Sequence, residues 1–392
     1  MSAKRAFFYV QHLLGIGHLK RAVTLARAIA GAGLEVTLAS GGLPVAQLAA
    51  EGSMPGVRFV QLPPVNAADL TFKTLVDDAG KPIDAEWKRM RVDALLAAWR
   101  ATDPDVLVLE LFPFGRRQMR FELLPLLDAA AAAPRRPAIV CSVRDILGGQ
   151  KSPQRQEETA SLVEQHFDRV LVHGDAGVLG FEQTFPLAAR IAAKLHYTGY
   201  VVDALAAGAT RDKAGTDEVI VSAGGGAVGE ALLEAALRAK PLTTLRDRTW
   251  RVLAGDNLPE AAYRKLGALA AAQGGVALER GRTDFTTLLA NCTLSISQAG
   301  YNTLLEAVQA RARAVVVPFA GGHETEQTLR AHCFAGRGLL ECVEEDALTP
   351  SALAAAIERA LRKPRPAAGA INLDGARNSA ELIAGLAGER AR

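Results

Sequence analysis

Ser297-Gln298-Ala299-Gly300-Tyr301-Asn302-Thr303, with Glu306 three residues on, then Val315-Val316-Val317-Pro318-Phe319, then Glu326-Gln327, is the stretch that decides the fold of this chain. It predicts a buried strand over Thr293 to Ser297, a glycine turn opening a helix, a second apolar strand closed by Pro318, and a polar loop. Such a unit aims backbone N–H groups and the positive end of a helix at one spot outside the carboxyl ends of the strands, where an anionic ligand sits. A nucleotide diphosphate suits that spot.

Outward from this stretch, apolar runs alternate with helix-period segments along the whole chain. Phe7 to Val10, Glu35 to Ala39, Val106 to Leu109, Ile139 to Val143 and Val170 to Val172 read as strands of a parallel sheet with crossover helices. The rhythm restarts at Glu218 to Ser222 and runs through Trp250 to Leu253, Val276 to Leu278 and Ala314 to Val317. A small-residue stretch lies between the two series. The expectation is an α/β protein of two Rossmann-like domains: residues 1–202, a linker at 203–217, residues 218–375, and a C-terminal helix over 376–392. Each half opens with a strand and a glycine turn. The first is Gly15-Ile16-Gly17-His18, leading to a helix with Gly31 as its stop, and the second is Gly224-Gly225-Gly226, before a helix beginning near Val228.

A chain of 392 residues exceeds one core, and 49% hydrophobic with 22% charged residues is a globular composition. A net charge of +3 gives no argument for nucleic acid, although Lys88-Arg89-Arg91, Arg116-Arg117-Arg120 and Arg135-Arg136 are local basic clusters. The four cysteines, Cys141, Cys292, Cys333 and Cys342, have no metal-ligand spacing and suit a reducing, cytoplasmic setting. The first ten residues hold too short an apolar run for a signal peptide.

The three elements around Gly300, agreeing in order and spacing, resemble the donor half of glycosyltransferases with the GT-B architecture, of the family 28 type that includes the MurG-like N-acetylglucosaminyl transferases. The resemblance implies two Rossmann-like domains with a cleft between them. It also implies a UDP-sugar, for example a UDP-N-acetylhexosamine, as co-substrate, with no cofactor and no metal. Carried over by motif, Gln298, Gly300 and Thr303, flanked by Tyr301 and Asn302, hold the diphosphate; Glu306 binds the ribose hydroxyls; Glu326 and Gln327 bind the sugar hydroxyls. The last pair is Gln-Gln in the MurG type, so the sugar stays open. Gly224, Gly225 and Gly226 add a second phosphate-binding turn, or form only a tight turn.

On the acceptor side, Gly15 and Gly17 precede His18, in the first turn of a helix whose positive end favours neutral imidazole. The resemblance implies a catalytic or acceptor-positioning role for His18, with Glu110 at the end of its strand as the orienting carboxylate. Packing of the turn and a solvent-facing glutamate are the plainer alternatives. Phe112 to Phe121 joins aromatic to basic residues, which suits a peripheral contact with the inner face of a membrane or a lipid-linked hydroxyl acceptor, and equally an ordinary loop. A dinucleotide dehydrogenase is excluded, because Lys20 stands where a third glycine should and Ser40-Gly41-Gly42 where an acidic residue should end the second strand. Gly15 to Arg21 also resembles the start of a GT-B-like nucleotide-sugar hydrolase of pseudaminate biosynthesis, in which water is the nucleophile. A non-catalytic nucleotide-sugar-binding partner subunit is the remaining alternative.

Overall fold

The computed structural model describes residues 3–13, 16–45, 54–69, 74–148, 152–203, 213–224, 229–321 and 325–389. The chain divides into two compact units, 1–202 with 372–392, and 203–371. The first is built on β1 (Lys4–Val10), α1 (Gly17–Gly31), β2 (Leu34–Ser40) and β3 (Val57–Gln61), then a two-residue ribbon of β4 (Asn66–Ala67) and β5 (Leu75–Val76). It continues through α2 (Ala85–Thr102), β6 (Val106–Glu110), α3 (Arg120–Ala131), β7 (Ala138–Arg144), α4 (Pro153–His166), β8 (Arg169–His173) and β9 (Leu195–Tyr197). The main sheet is parallel in the order β3-β2-β1-β6-β7-β8-β9. The central strands are apolar without alternation because both faces are covered, which is why they read so clearly as strands.

The second unit carries β10 (Val219–Ser222), α5 (Glu230–Ala239), β11 (Trp250–Leu253), α6 (Glu260–Gln273), β12 (Val276–Glu279), α7 (Phe285–Asn291) and β13 (Leu294–Gln298). It closes with α8 (Tyr301–Gln309), β14 (Ala314–Val317), α9 (Glu326–Gly336), β15 (Glu341–Cys342) and α10 (Pro350–Arg362). All six strands are parallel, in the order β12-β11-β10-β13-β14-β15. That is the doubly wound order, with its reversal between β10 and β13.

The last helix, α11 (Gly375–Glu389), belongs to the first unit, where its Ala380, Ile383 and Ala387 share a buried cluster with Leu19, Val23 and Ala26 of α1. The return is stitched by backbone bonds from Tyr200 N–H to Asn372 O, 2.8 Å, and from Gly375 N–H to Tyr200 O, 3.1 Å. No helix among the described residues is long and apolar enough to cross a membrane.

Several local expectations are corrected. Gly31 is the last residue of α1 rather than the stop just beyond it; Ala32 is the C-cap, and the left-handed residue is Gly33 at φ 93°. Strand β13 runs one residue further than expected, so Gln298 ends the strand rather than opening the turn. Residues 204–212 of the expected linker and Val228 lie outside the described residues, while 213–217 packs on the second unit, where Asn291 donates to Ala214 O at 3.0 Å. The aromatic residues of 112–121 do not form an outward face. Phe112 and Phe114 are core, Phe114 packs edge-on against Phe181 and Phe185, and Arg117 and Arg120 pair with Glu158.

The basic cluster Lys88-Arg89-Arg91 is corrected at Arg91, which is wholly buried. Its guanidinium donates to Glu122 Oε2 at 2.7 Å, to Gln11 Oε1 at 3.0 Å and to Gly41 O at 3.1 Å. Tyr9 donates its hydroxyl to the same carboxylate, so α2 and α3 are tied to β1 through one charge pair. Gly41 is required there, since a Cβ would come within 2.1 Å of the guanidinium. Arg91→Met should leave a buried, uncompensated Glu122 and cost about 3–5 kcal/mol of unfolding free energy, while Arg91→Met with Glu122→Leu should recover most of it. Urea titration of both variants measures this; equal losses would mean that the lost packing, not the stranded charge, is what matters.

Candidate active site

Sheet topology picks out one place in each unit. In the first, the carboxyl ends of β1 and β6 lie side by side where the strand order reverses, with Tyr9 paired in register to Leu109. Helix α1 starts just beyond β1, so His18, its second residue, meets Glu110, the last residue of β6. His18 Nδ1 lies 3.0 Å and 3.1 Å from the two oxygens of Glu110. Arg21, one turn further along α1, reaches the same carboxylate and lies 3.2 Å from His18 Nδ1. A guanidinium only donates and an ionised carboxylate only accepts. Nδ1 cannot donate to Glu110 and accept from Arg21 at once. With Glu110 already accepting from Arg21 and its two oxygens nearest the ring, Nδ1–H donates to Glu110, and Nε2 keeps its lone pair.

The charges follow from burial. Burial alone would raise the Glu110 carboxyl, but His18, Arg21 and Arg116 hold it well below the usual carboxylate range. Burial lowers His18 to about 4; Glu110 opposes that shift, and Arg116 and Arg21 reinforce it. Neutral His18 is therefore the form present at neutral pH. Arg116 stands at φ 57° and donates its Nε–H to Gln11 O at 2.7 Å. In the sequence Arg116 stood only in a basic cluster and Arg21 only at the end of the run from Gly15, neither with a role beside His18; Arg21 is three residues from His18 on one helix, a spacing that puts both on one face. Gly17 is exposed in the first turn of α1, with no atom within 4 Å of where its Cβ would be, and Gly15 lies outside the described residues.

In the second unit, Ser222 of β10 pairs in register with Ser297 of β13, so the turns after these strands are neighbours at the strand-order reversal. Gly224 takes φ 72°, a left-handed conformation that favours glycine, and its N–H is held by Ser222 Oγ at 3.2 Å. Gly225 and Gly226 lie outside the described residues. The Gln298 amide approaches the start of α5, 3.6 Å from where a Cβ on Gly229 would stand. Gly300 precedes α8 without a side-chain cap, and Tyr301, Asn302 and Thr303 form the first turn, whose N–H groups have no partner within the helix. Asn302 and Thr303 make no side-chain hydrogen bond among the described residues, and Glu306 lies one turn along α8.

Glu326 and Gln327 open α9 and are tied to the scaffold. Glu326 accepts from Arg330 at 2.9 Å, both being buried, and Arg330 lies over the Tyr301 ring at 4.9 Å. Gln327 Oε1 accepts from Phe319 N–H at 3.2 Å. Arg330 thus links the glycine turn to the acidic-amide pair, a link the sequence reading missed although it lies at i+4 from Glu326.

A second buried histidine, His173 at the end of β8, was also missed. Its Nε2 lies 2.8 Å from Ser142 Oγ and its Nδ1 2.9 Å from Thr198 Oγ1. Burial lowers it from 6.5 to about 3, helped by Arg21 and opposed by Glu110. Below pH 6.5 the unfolded chain therefore binds a proton that folded His173 refuses, so this histidine costs stability as pH falls from 6.5 towards 3. His173→Gln should make the acid limb of a stability–pH profile shallower across that window, leaving the part due to His18. A limb of unchanged slope would assign it elsewhere.

Residues 219–383 match the family model of the glycosyltransferase family 28 C-terminal domain. Among solved structures, the chain is similar to MurG of Acinetobacter baumannii, with TM-score 0.60 and 15% identity over 98% of this chain and 99% of that one. It is likewise similar to a UDP-glucosyltransferase from Polygonum tinctorium, with TM-score 0.61 and 16% identity over 99% of each chain. The glycotransferase of kitacinnamycin gives TM-score 0.62 and 15% identity over 99% of this chain and 98% of that one. No curated protein sequence matches the chain. At these identities the structures carry the fold, which is that of the GT-B glycosyltransferases, two Rossmann-like domains in one chain.

Proposed function

We infer that this chain, a glycosyltransferase of MurG-like GT-B type whose residues 219–383 match the family 28 C-terminal domain, transfers a sugar from a UDP-sugar, such as a UDP-N-acetylhexosamine, to a hydroxyl acceptor without a metal. The observation that carries this reading is the pair of openings at the strand-order reversal of the second sheet: the left-handed turn at Gly224 beside the uncapped first turn of α8. The N–H groups of the α8 turn can hold a diphosphate beside the Gly224 backbone, whose own N–H is held by Ser222. Gln298, Asn302 and Thr303 add side-chain donors. No atom lies within 4 Å of where a Cβ on Gly300 would be, so the approach to the helix end is bare.

In this reading His18 Nε2 takes the proton of the acceptor hydroxyl as that oxygen bonds to the anomeric carbon. The bond from that carbon to the diphosphate oxygen breaks, and UDP leaves with the electron pair. The charge that develops on it is met by fixed N–H dipoles rather than by a cation. Glu110 holds the imidazole with Nε2 free, and Gly17 leaves the turn before it bare. Glu306 takes the ribose hydroxyls. Gln327 offers its amide N–H groups to the sugar, because its oxygen is engaged by Phe319, and Glu326 accepts from sugar hydroxyls with its charge already balanced by Arg330. Four free thiols suit the cytoplasm. A lipid-linked acceptor, or attachment to the inner face of a membrane, would need a surface other than 112–121.

Calorimetry with UDP and UDP-sugars in the presence of a chelator tests the donor half. Binding should persist, and Glu306→Gln should weaken it by ~1.5–3 kcal/mol, as for a lost hydrogen bond to a charged group. Binding abolished by the chelator, or indifferent to Glu306→Gln, would count against the assignment. For the acceptor half, His18→Ala should leave UDP affinity nearly intact while turnover falls ~10²–10⁴-fold, the range for loss of a general base. Unchanged turnover would remove His18 from the mechanism. Free sugar released at the full rate without an acceptor would make water the nucleophile and the chain a hydrolase.

A further inference from the structure

At the edge strand of the second sheet, three side chains of different donor type converge. His332 lies within α9, Cys342 ends β15 and Glu344 follows two residues later. One imidazole nitrogen, the thiol sulfur and one carboxylate oxygen all lie within 4.8 Å of one another. His332 Nε2 contacts Glu344 Oε1, and Cys342 Sγ is 3.7 Å from that same oxygen. Successive strand residues point to opposite faces. Glu341 accordingly meets Arg359 of α10 and Lys363 just beyond it, while Cys342 meets the group that includes His332 of α9. Those two cations are committed to Glu341, and among the described residues no arginine or lysine pairs with Glu344.

We propose that His332, Cys342 and Glu344 form a binding site for a divalent cation of the zinc class. Zinc takes nitrogen at ~2.0–2.1 Å, thiolate at ~2.3 Å and carboxylate oxygen at ~2.0–2.2 Å in a tetrahedral set, which puts the donor atoms roughly 3.3–3.7 Å apart. The Cys342–Glu344 separation already has that value. The His332–Glu344 contact must open, which two partly exposed side chains can do by rotation. The mixed nitrogen, sulfur and oxygen set disfavours magnesium and calcium, which take oxygen. On binding, the Cys342 thiol releases its proton to solvent, and thiolate with carboxylate balances the dipositive ion. Three protein ligands leave a fourth position to water. The spacing His-x9-Cys-x-Glu fits no common linear zinc motif, which is why the cysteine pattern gave no sign of it.

Such an ion would clip the later half of α9 to the sheet edge, while Glu326 and Gln327 stand at the start of that helix. It acts on the scaffold, and the inference does not depend on the sugar or the acceptor. The test is calorimetric titration of the full-length, metal-stripped chain with zinc chloride, alongside absorption spectra with cobalt(II). One zinc per chain and a thiolate-to-cobalt charge-transfer band are expected. Cys342→Ser should abolish the band; each of Cys342→Ser, His332→Gln and Glu344→Gln should weaken zinc by more than the ~10–100-fold that loss of an outer-shell partner costs. Cys333→Ser should change neither. Zinc should raise the melting temperature of wild type and Cys333→Ser but not of the three ligand variants, whose melting in chelator should match wild type. The proposal fails if no zinc binds, if zinc affinity survives Cys342→Ser or His332→Gln, or if cobalt binds without the band.

Discussion

A parallel sheet that reverses its strand order once leaves one place where the connections of two adjacent strands depart to opposite faces, so that no connection covers the backbone between them. Both sheets here do this, between β1 and β6 and between β10 and β13. Strands buried on both faces are mostly apolar along their length, and the polar side chains within them, such as Thr37, Ser142 and Ser295, are small. Chemistry can enter only at their carboxyl ends, and that is where Glu110, Ser222 and Gln298 stand. The two openings are furnished differently. Charged side chains fill the first, whereas at the second the described residues offer a helix start without a side-chain cap beside the left-handed Gly224.

The first opening turns on one electrostatic choice. A wholly buried carboxylate such as Glu110 needs positive charge beside it. Burial is the largest influence keeping the imidazole neutral, Arg116 and Arg21 reinforce it, and Glu110 opposes it. Arg21 and Arg116 also supply positive charge to the carboxylate, so the histidine stays neutral while still being oriented by the acid. The contrast is with Arg91 and Glu122, an equally buried pair whose remaining polar partners are the Gln11 and Tyr9 side chains and backbone carbonyls. That pair joins helices to a strand and offers nothing to a ligand.

What the sequence disclosed follows the same division. The repeated strands, the two glycine turns and the histidine after Gly17 were legible because buried parallel strands write continuous apolar runs, and turns write glycine. The His18–Glu110 contact was legible as a juxtaposition of a strand end and a helix start. Direction of burial was not. Phe112 to Phe121 has the composition of an interfacial segment, yet its aromatic rings turn inward and its arginines find Glu158 on another helix, about forty residues on. Arg91 looked like part of a surface cluster because nothing local announces Glu122. Arg330 and His332 belong to α9 but act on α8 and β15, contacts that exist only once the sheet has brought those elements together.

The position of α11 bears on the role proposed for His18. A general base must be held to a fraction of an ångström, and that requires an element clamped on more than one side. Helix α1 is held by its sheet through Leu19, Ala22 and Leu25, and by α11 through the cluster containing Ala380, Ile383 and Ala387. The segment that covers the histidine-bearing helix therefore comes from the far end of the chain, and its residues 375–383 lie within the stretch matched by the family 28 C-terminal domain model. Substitutions on the buried face of α11 thus bear on His18 through the seating of α1, even though α11 contributes none of the groups expected to touch the substrate.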